Sequence, residues 1–169
     1  FSRILLSAIF CSGYSSPLIH HNDISDCNAG ISCLDHSSPT LNNNTIVSNG
    51  NSAIWTSGSR NLVGCNNILW DNLGGIVQGS GCTVTLTHCD IEAGWPGTGN
   101  FNLPPGFVSW LDHHLMPYSN CIDRGDPAGP FDPDSTIADV GAYYFNQNQP
   151  QGVCSVTTRL LGAPVVLPP

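Results

Sequence analysis

A period of 22 residues constrains this chain more than any other feature. "SSPLIHHNDISDCNAGI" begins at Ser15, "SSPTLNNNTIVSNGNSAI" at Ser37 and "SRNLVGCNNILWDNLGGI" at Ser59. Asn22, Asn44 and Asn66 fall in one column. Ile24, Ile46 and Ile68 fall in another, which Ile91 continues one residue late. Ile9 and Ile31 share a column, as do Ile54 and Ile76, with a one-residue insertion where "NAGI" becomes "NGNSAI". A fixed period of this length marks stacked units that each bury a face only against the next.

A leucine-rich repeat has a similar length but does not fit. The apolar positions it needs before the Asn are occupied here by Pro17, Pro39 and Asn61, and no segment has helical periodicity. The remaining solution is all-β: a right-handed parallel β-helix of about 22 residues per coil with an irregular C-terminal cap. In "TLNNNTIVS", Leu41 and Ile46 point inward while Thr40, Thr45 and Val47 point outward. The bend between them carries the Asn column. Asn tolerates left-handed backbone, and stacked amides can bond coil to coil. Asn22, Asn44 and Asn66 are therefore expected to form a structural ladder, with sugar binding as the alternative role. Each buried Ile or Leu contributes roughly 1.5–3 kcal/mol. One coil has too few of them to stand alone.

The reading divides the chain into coils over 1–93, a C-terminal coil or cap segment over 94–147, and a linker and tail over 148–169. "FSRILLSAIFCSG" looks like the core of a secretory leader, but Ile9 belongs to the repeat. The chain is therefore read as beginning mid-domain. A strand is expected over Val156 to Leu161.

Polarity comes from Asn, Ser, Thr and Gly rather than from charge. Charged residues are 9% and net charge is −8, with no Lys. That balance argues against nucleic acid as a partner, and no segment is long enough to span a membrane. Eight cysteines without a CxxC pair suggest an oxidising compartment, hence a secreted or cell-surface location. Cys11 and Cys33 stack on adjacent coils, as a bridge or as two buried thiols.

Three later stretches carry a resemblance. Gly99, Asn100, Pro105 and Phe107 form the first, with Pro104 where Asp is usual. Ser119, Cys121, Ile122, Asp123 and Gly125 form the second, with Asn120 in place of Pro. Asp132, Asp134, Thr136, Asp139, Gly141 and Ala142 form the third, with Ser135 in place of Gly. With the coils, from Ser15 to Phe145, they resemble the C-terminal part of secreted bacterial right-handed parallel β-helix repeat proteins. The resemblance implies a fold and says little about activity.

Candidate chemistry is sparse. Asp132, Asp134, Asp139 and the Thr136 hydroxyl could hold Ca²⁺, the one cofactor considered and not a required one. The alternative is that these side chains cap turns. Trp55 should face outward in a column with Phe10, Ser32 and Val77, where exposed aromatics could stack on sugar rings. Glu92, the only Glu, is assigned to an outward column with Ser25, Val47 and Leu69. Trp70 is assigned to core or turn packing. His20–His21 and His113–His114 are adjacent pairs, so neither chelates by itself. They read as solvated loop histidines, with a transition-metal site from Asp112, His113, His114, His88 and Asp90 as the alternative. The functional expectation is an extracellular module presenting a polysaccharide-binding surface. The alternatives are a carbohydrate-active enzyme, which needs two acids or an acid and a His in one groove, and an adhesive module that binds copies of itself.

Overall fold

Alternation of apolar residues inward and polar residues outward, broken by residues that accept left-handed backbone, produces four stacked coils of three short strands each. The computed structural model describes residues 7–59 and 61–149. The expected Val156–Leu161 strand and Cys154 lie outside them. The first coil holds β1 (Ser7–Cys11), β2 (Leu18–His20) and β3 (Asp23–Ser25). The second holds β4 (Ala29–Leu34), β5 (Thr40–Asn42) and β6 (Thr45–Val47). The third holds β7 (Ser52–Ser57), β8 (Asn61–Cys65) and β9 (Ile68–Trp70), and the fourth β10 (Ile76–Gln78), β11 (Thr83–Thr87) and β12 (Asp90–Ile91). Equivalent strands pair in parallel, giving three four-stranded sheets, β1-β4-β7-β10, β2-β5-β8-β11 and β3-β6-β9-β12. No described helix is long and apolar enough to cross a membrane.

Three inward columns fill the interior. Ile9, Ile31, Ile54 and Ile76 stack on the first sheet. Ile19, Leu41, Gly64 and Leu86 stack on the second, and Ile24, Ile46, Leu69 and Ile91 on the third. Ile31, Leu41, Ile46 and Ile54 are completely buried. Register corrects the expected Ile24–Ile46–Ile68 column. The extra residue before Ser52 shifts every later position by one, so Leu69 sits on Ile46 and Ile91 is in step. Ile68 instead faces outward. Glu92 accordingly stands beside Trp70, not Leu69, on the outer face.

The same shift changes the ladder. The Asn22 N–H and Nδ2 donate to Asn44 Oδ1 at 3.1 and 3.0 Å. The Asn44 N–H and Nδ2 donate to Oδ1 of Asn67, not Asn66, each at 2.9 Å. Asn67 N–H then meets Cys89 Sγ at 3.3 Å, and Cys89 N–H donates to Asn100 Oδ1 at 3.0 Å. The column is thus Asn22, Asn44, Asn67, Cys89, Asn100. Burial pushes the Cys89 thiol up to about 12, so it serves as a neutral polar rung. The amides after Asn22 also donate back into the coil before them, as Asn44 does to Ile19 C=O at 2.9 Å and Asn67 to Leu41 C=O at 2.8 Å. A second corner has its own ladder, Cys27, Asn49 and Asn72.

The residue before each rung carries the bend. His21, Asn43, Asn66 and His88 all have φ between 50° and 56°, as do Asp26, Ser48 and Asp71 at the other corner, near 52–56°. Asn66 is therefore the bend residue of its coil. Its side chain points out, and its Oδ1 accepts the Asp126 N–H at 2.8 Å.

Beyond the coils, the chain from Gly94 to Gln149 is largely irregular, with one antiparallel pair, β13 (Phe107–Ser109) and β14 (Asp112–Leu115). It lies as a strap against the outer face of the third sheet. Val47 and Ile68 pack there with Leu115, Cys121 and Val140, flanked by Trp70, Phe101 and Phe107. Thr45 and Val47 do point out of the coil, and the strap buries them. A second hydrophobic layer therefore joins the cap to the stack.

Candidate functional site

The first sheet keeps its outer face free of the strap. Phe10, Ser32, Trp55 and Val77 form one outward column. Phe10 is 59% exposed and Val77 39%, Trp55 is half-buried, and Ser32 is buried between the two aromatics. With strands about 4.8 Å apart, the two rings stand about 9.6 Å apart along the stack. The result is a shallow aromatic strip on a flat parallel sheet.

A groove of about 790 Å³ opens at the second corner of the later coils. Asp71 and Glu92 share its wall with Leu73, Ile76 and Trp95. Glu92 Oε2 accepts the Asp71 N–H at 2.7 Å, and Asp71 Oδ2 accepts the Ser48 hydroxyl at 3.1 Å. The pairing was hidden in the sequence because Asp71 occupies a bend, not a strand.

The aspartates of the cap are occupied by backbone N–H groups. Asp139 accepts from Asp123 and Phe145 at 2.8 and 2.6 Å. Asp132 accepts from Asp139 at 2.7 Å, and Asp134 from Gln147 at 2.9 Å. The Thr136 hydroxyl donates to Asp134 Oδ1 at 2.7 Å. These bonds are the turn-capping arrangement. Asp134 is held below the usual carboxylate range by the Gln147 N–H, and burial pushes Asp132 up.

The His113–His114 pair separates as alternation requires, whereas His20 and His21 meet at the bend, their Nδ1 atoms 3.0 Å apart. His113 is buried, with Nδ1 2.8 and 3.0 Å from the two carboxylate oxygens of Asp23. His114 faces outward, stacks on Tyr143 at 4.0 Å and bonds Asp112 at 2.7 Å. His113 thus joins the strap to the first coil, a role that the reading of both pairs as solvated loop residues did not foresee. His88 joins none of these residues. Its ligand atoms, with those of Cys65 and Asp126, lie within 4.8 Å of one another. No spacing rule exposes that trio, since its members come from a strand end, a bend and the strap. The seven described cysteines are free thiols. Cys11 and Cys33 are register partners whose thiols hydrogen-bond, which favours ionisation of Cys11 over Cys33.

Two buried carboxylates give the fold a pH signature. Asp90 and Asp139 are pushed by burial from the usual 3.8 up to about 6. A carboxyl whose folded value exceeds its unfolded one favours the folded state fully below pH 4 and loses that contribution as pH rises through 6. Thermal stability from this source is expected to fall between pH 4 and 7. Asp90→Asn should keep the Leu103 N–H bond. It should stabilise the protein on the order of 2 kcal/mol more at pH 8 than at pH 4. Denaturant melts of both proteins at the two pH values measure this; parallel losses in each would contradict it.

The family described as "Right handed beta helix region" matches residues 1–102. No curated protein and no solved structure gave a match. Four parallel coils in register and a match to more than half of the sequence lead to one conclusion: this chain belongs to the right-handed β-helix family.

Proposed function

We propose that the chain is an extracellular β-helix module that binds polysaccharide on the outer face of its first sheet. The observation that carries this reading is the Phe10–Trp55–Val77 strip, an aromatic column exposed at Phe10 and Val77 and half-buried at Trp55. Aromatic rings on a rigid, flat sheet meet the apolar faces of sugar rings without ordering a loop first. A secreted or cell-surface setting is proposed from the number of cysteines in the sequence; the seven described ones are free thiols and add no disulfide in its support. A glycan array with soluble protein is expected to reveal polysaccharide ligands. Trp55→Ala should weaken the best of them about tenfold or more, equivalent to roughly 1.4 kcal/mol. Repeating the array with a chelator asks whether Ca²⁺ takes part. A blank array, with sedimentation showing dimers that Trp55→Ala dissolves, would replace carbohydrate by self-association.

A second reading has its own observation. Asp71 and Glu92 lie on one groove wall, and two acids in a groove are the residue types that glycoside hydrolysis uses. Reducing-end release from a bound polysaccharide, lost in both Asp71→Asn and Glu92→Gln, would make the module an enzyme. Binding without release leaves it a binding module.

A further inference from the structure

We propose that Cys65, His88 and Asp126 form a binding site for a divalent transition-metal ion of the zinc type, at the first corner of the stack. Sulfur, imidazole nitrogen and carboxylate oxygen are the donor set such an ion takes. One thiolate, one carboxylate and one neutral imidazole balance a charge of +2. The three ligand atoms already lie within 4.8 Å of each other. Atoms bound at about 2.0–2.3 Å in a tetrahedron stand about 3.3–3.6 Å apart, so side-chain rotation alone can close the set.

The fold builds each ligand's position. Cys65 ends β8 and faces outward. His88 occupies the bend of the next coil, with φ near 50°. Gly99 lies against the Cδ2–Nε2 edge of its ring, where a Cβ would come within 2.2 Å of Cδ2. That edge is closed. His88 Nδ1, on the opposite edge, is buried and has no hydrogen-bond partner. A buried imidazole nitrogen without a partner is costly, and an ion would satisfy it. Asp126 is delivered by the strap. Its N–H is fixed by Asn66 Oδ1 at 2.8 Å, and its Oδ1 accepts the Ala128 N–H at 2.9 Å. The second carboxylate oxygen is assigned to the ion. Cys65 Sγ now donates to Asn66 Oδ1 at 3.2 Å. On metal binding the thiol proton leaves to solvent, the sulfur–metal bond forms, and Asn66 Oδ1 keeps the Asp126 N–H.

Three protein ligands leave a fourth position. A cavity of about 360 Å³ reaches Cys65 and Asp126 and is also lined by His20, His21 and Asn43. Strand spacing places His21 three coils, about 14 Å, from His88, too far to share its ion. The fourth ligand is therefore water or a small anion entering from this cavity. The inference is independent of the aromatic strip, which lies on a different sheet.

The full chain, reduced and titrated anaerobically with Co²⁺, is expected to bind one ion. The spectrum should show a thiolate charge-transfer band and tetrahedral d–d bands. Zn²⁺ should displace Co²⁺ and raise the melting temperature, and a chelator should reverse both effects. Cys65→Ser should abolish the charge-transfer band. His88→Gln and Asp126→Asn should weaken binding by more than about 100-fold, beyond the loss of a supporting hydrogen bond. The double variant Cys11→Ser/Cys33→Ser should bind like the unaltered chain. No thiolate band in the unaltered protein would overturn the proposal, as would a band that survives Cys65→Ser. Should the single variants fold poorly, the Zn²⁺-dependent rise in melting temperature of the unaltered chain still decides: no rise means no site.

Discussion

Asn44→Ala is expected to lower stability by on the order of 4 kcal/mol, an unusually large effect for a polar residue. Its side chain is completely buried in the middle of the ladder. Removing it leaves the Asn22 N–H without its acceptor and takes one bond each from Asn22 Nδ2, the Ile19 carbonyl and Asn67 Oδ1, although Asn22 Nδ2 keeps His20 C=O and Asn67 Oδ1 keeps the Asn44 N–H. A buried polar group left without a partner costs about 1–3 kcal/mol. Asn44→Asp sharpens the test. It keeps the acceptor facing Asn22 but points carboxylate oxygen at two other acceptors. At neutral pH it should be at least as destabilising as the alanine, and it should recover partly in acid as the carboxyl gains a proton. Urea titration of the three proteins gives the numbers. A loss below about 1 kcal/mol for Asn44→Ala would mean that the amides do not hold the coils.

Gly141→Val is expected to cost a similar amount by a different route. Gly141 has φ near 110°, which a β-branched residue does not adopt without strain. An added Cβ would also stand 2.6 Å from Ile68 Cδ1 and 2.9 Å from Thr45 Oγ1. Strain and overpacking contribute about 1–3 kcal/mol each, roughly 4 kcal/mol together. The loss falls on the strap, because the Gly141 N–H bonds Asn66 C=O and the Ala142 N–H bonds Thr45 Oγ1, each at 2.9 Å. Proteolysis should therefore begin within the strap, ahead of the coils. Thr45→Val, which keeps the volume and removes only the hydroxyl, should cost about 1 kcal/mol. Uniform cleavage along the variant, or unchanged stability, would show that the strap does not depend on this contact.

The solenoid was legible because its signal repeats. Each coil must place apolar residues over apolar residues, so period and fold are the same information. The first sheet's outer column of Phe10, Ser32, Trp55 and Val77 followed from alternation alone. One inserted residue limited the rest. Carrying the shift seen between Ile31 and Ile54 through the later segments would have moved the third rung from Asn66 to Asn67 and the inward position from Ile68 to Leu69. The C-terminal strap was legible as a set of motifs but not as a surface. Nothing local tells that Val140 covers Val47 and Ile68, or that His113 reaches back 90 residues to Asp23. The Cys65–His88–Asp126 group is hidden for the same reason, because long-range packing brings its members together.

The register and the docked strap can be tested in one experiment, methyl-detected nuclear Overhauser spectroscopy on the intact chain. Leu69 methyl groups should show contacts to Ile46 and Ile91, its neighbours above and below. The Ile68 δ1 methyl should instead show contacts to Gly141, outside the coil. Contacts from Ile68 to Ile24 and Ile46, with none to Gly141, would place the wrong residue in the core and contradict both the stacking and the surfaces assigned from it.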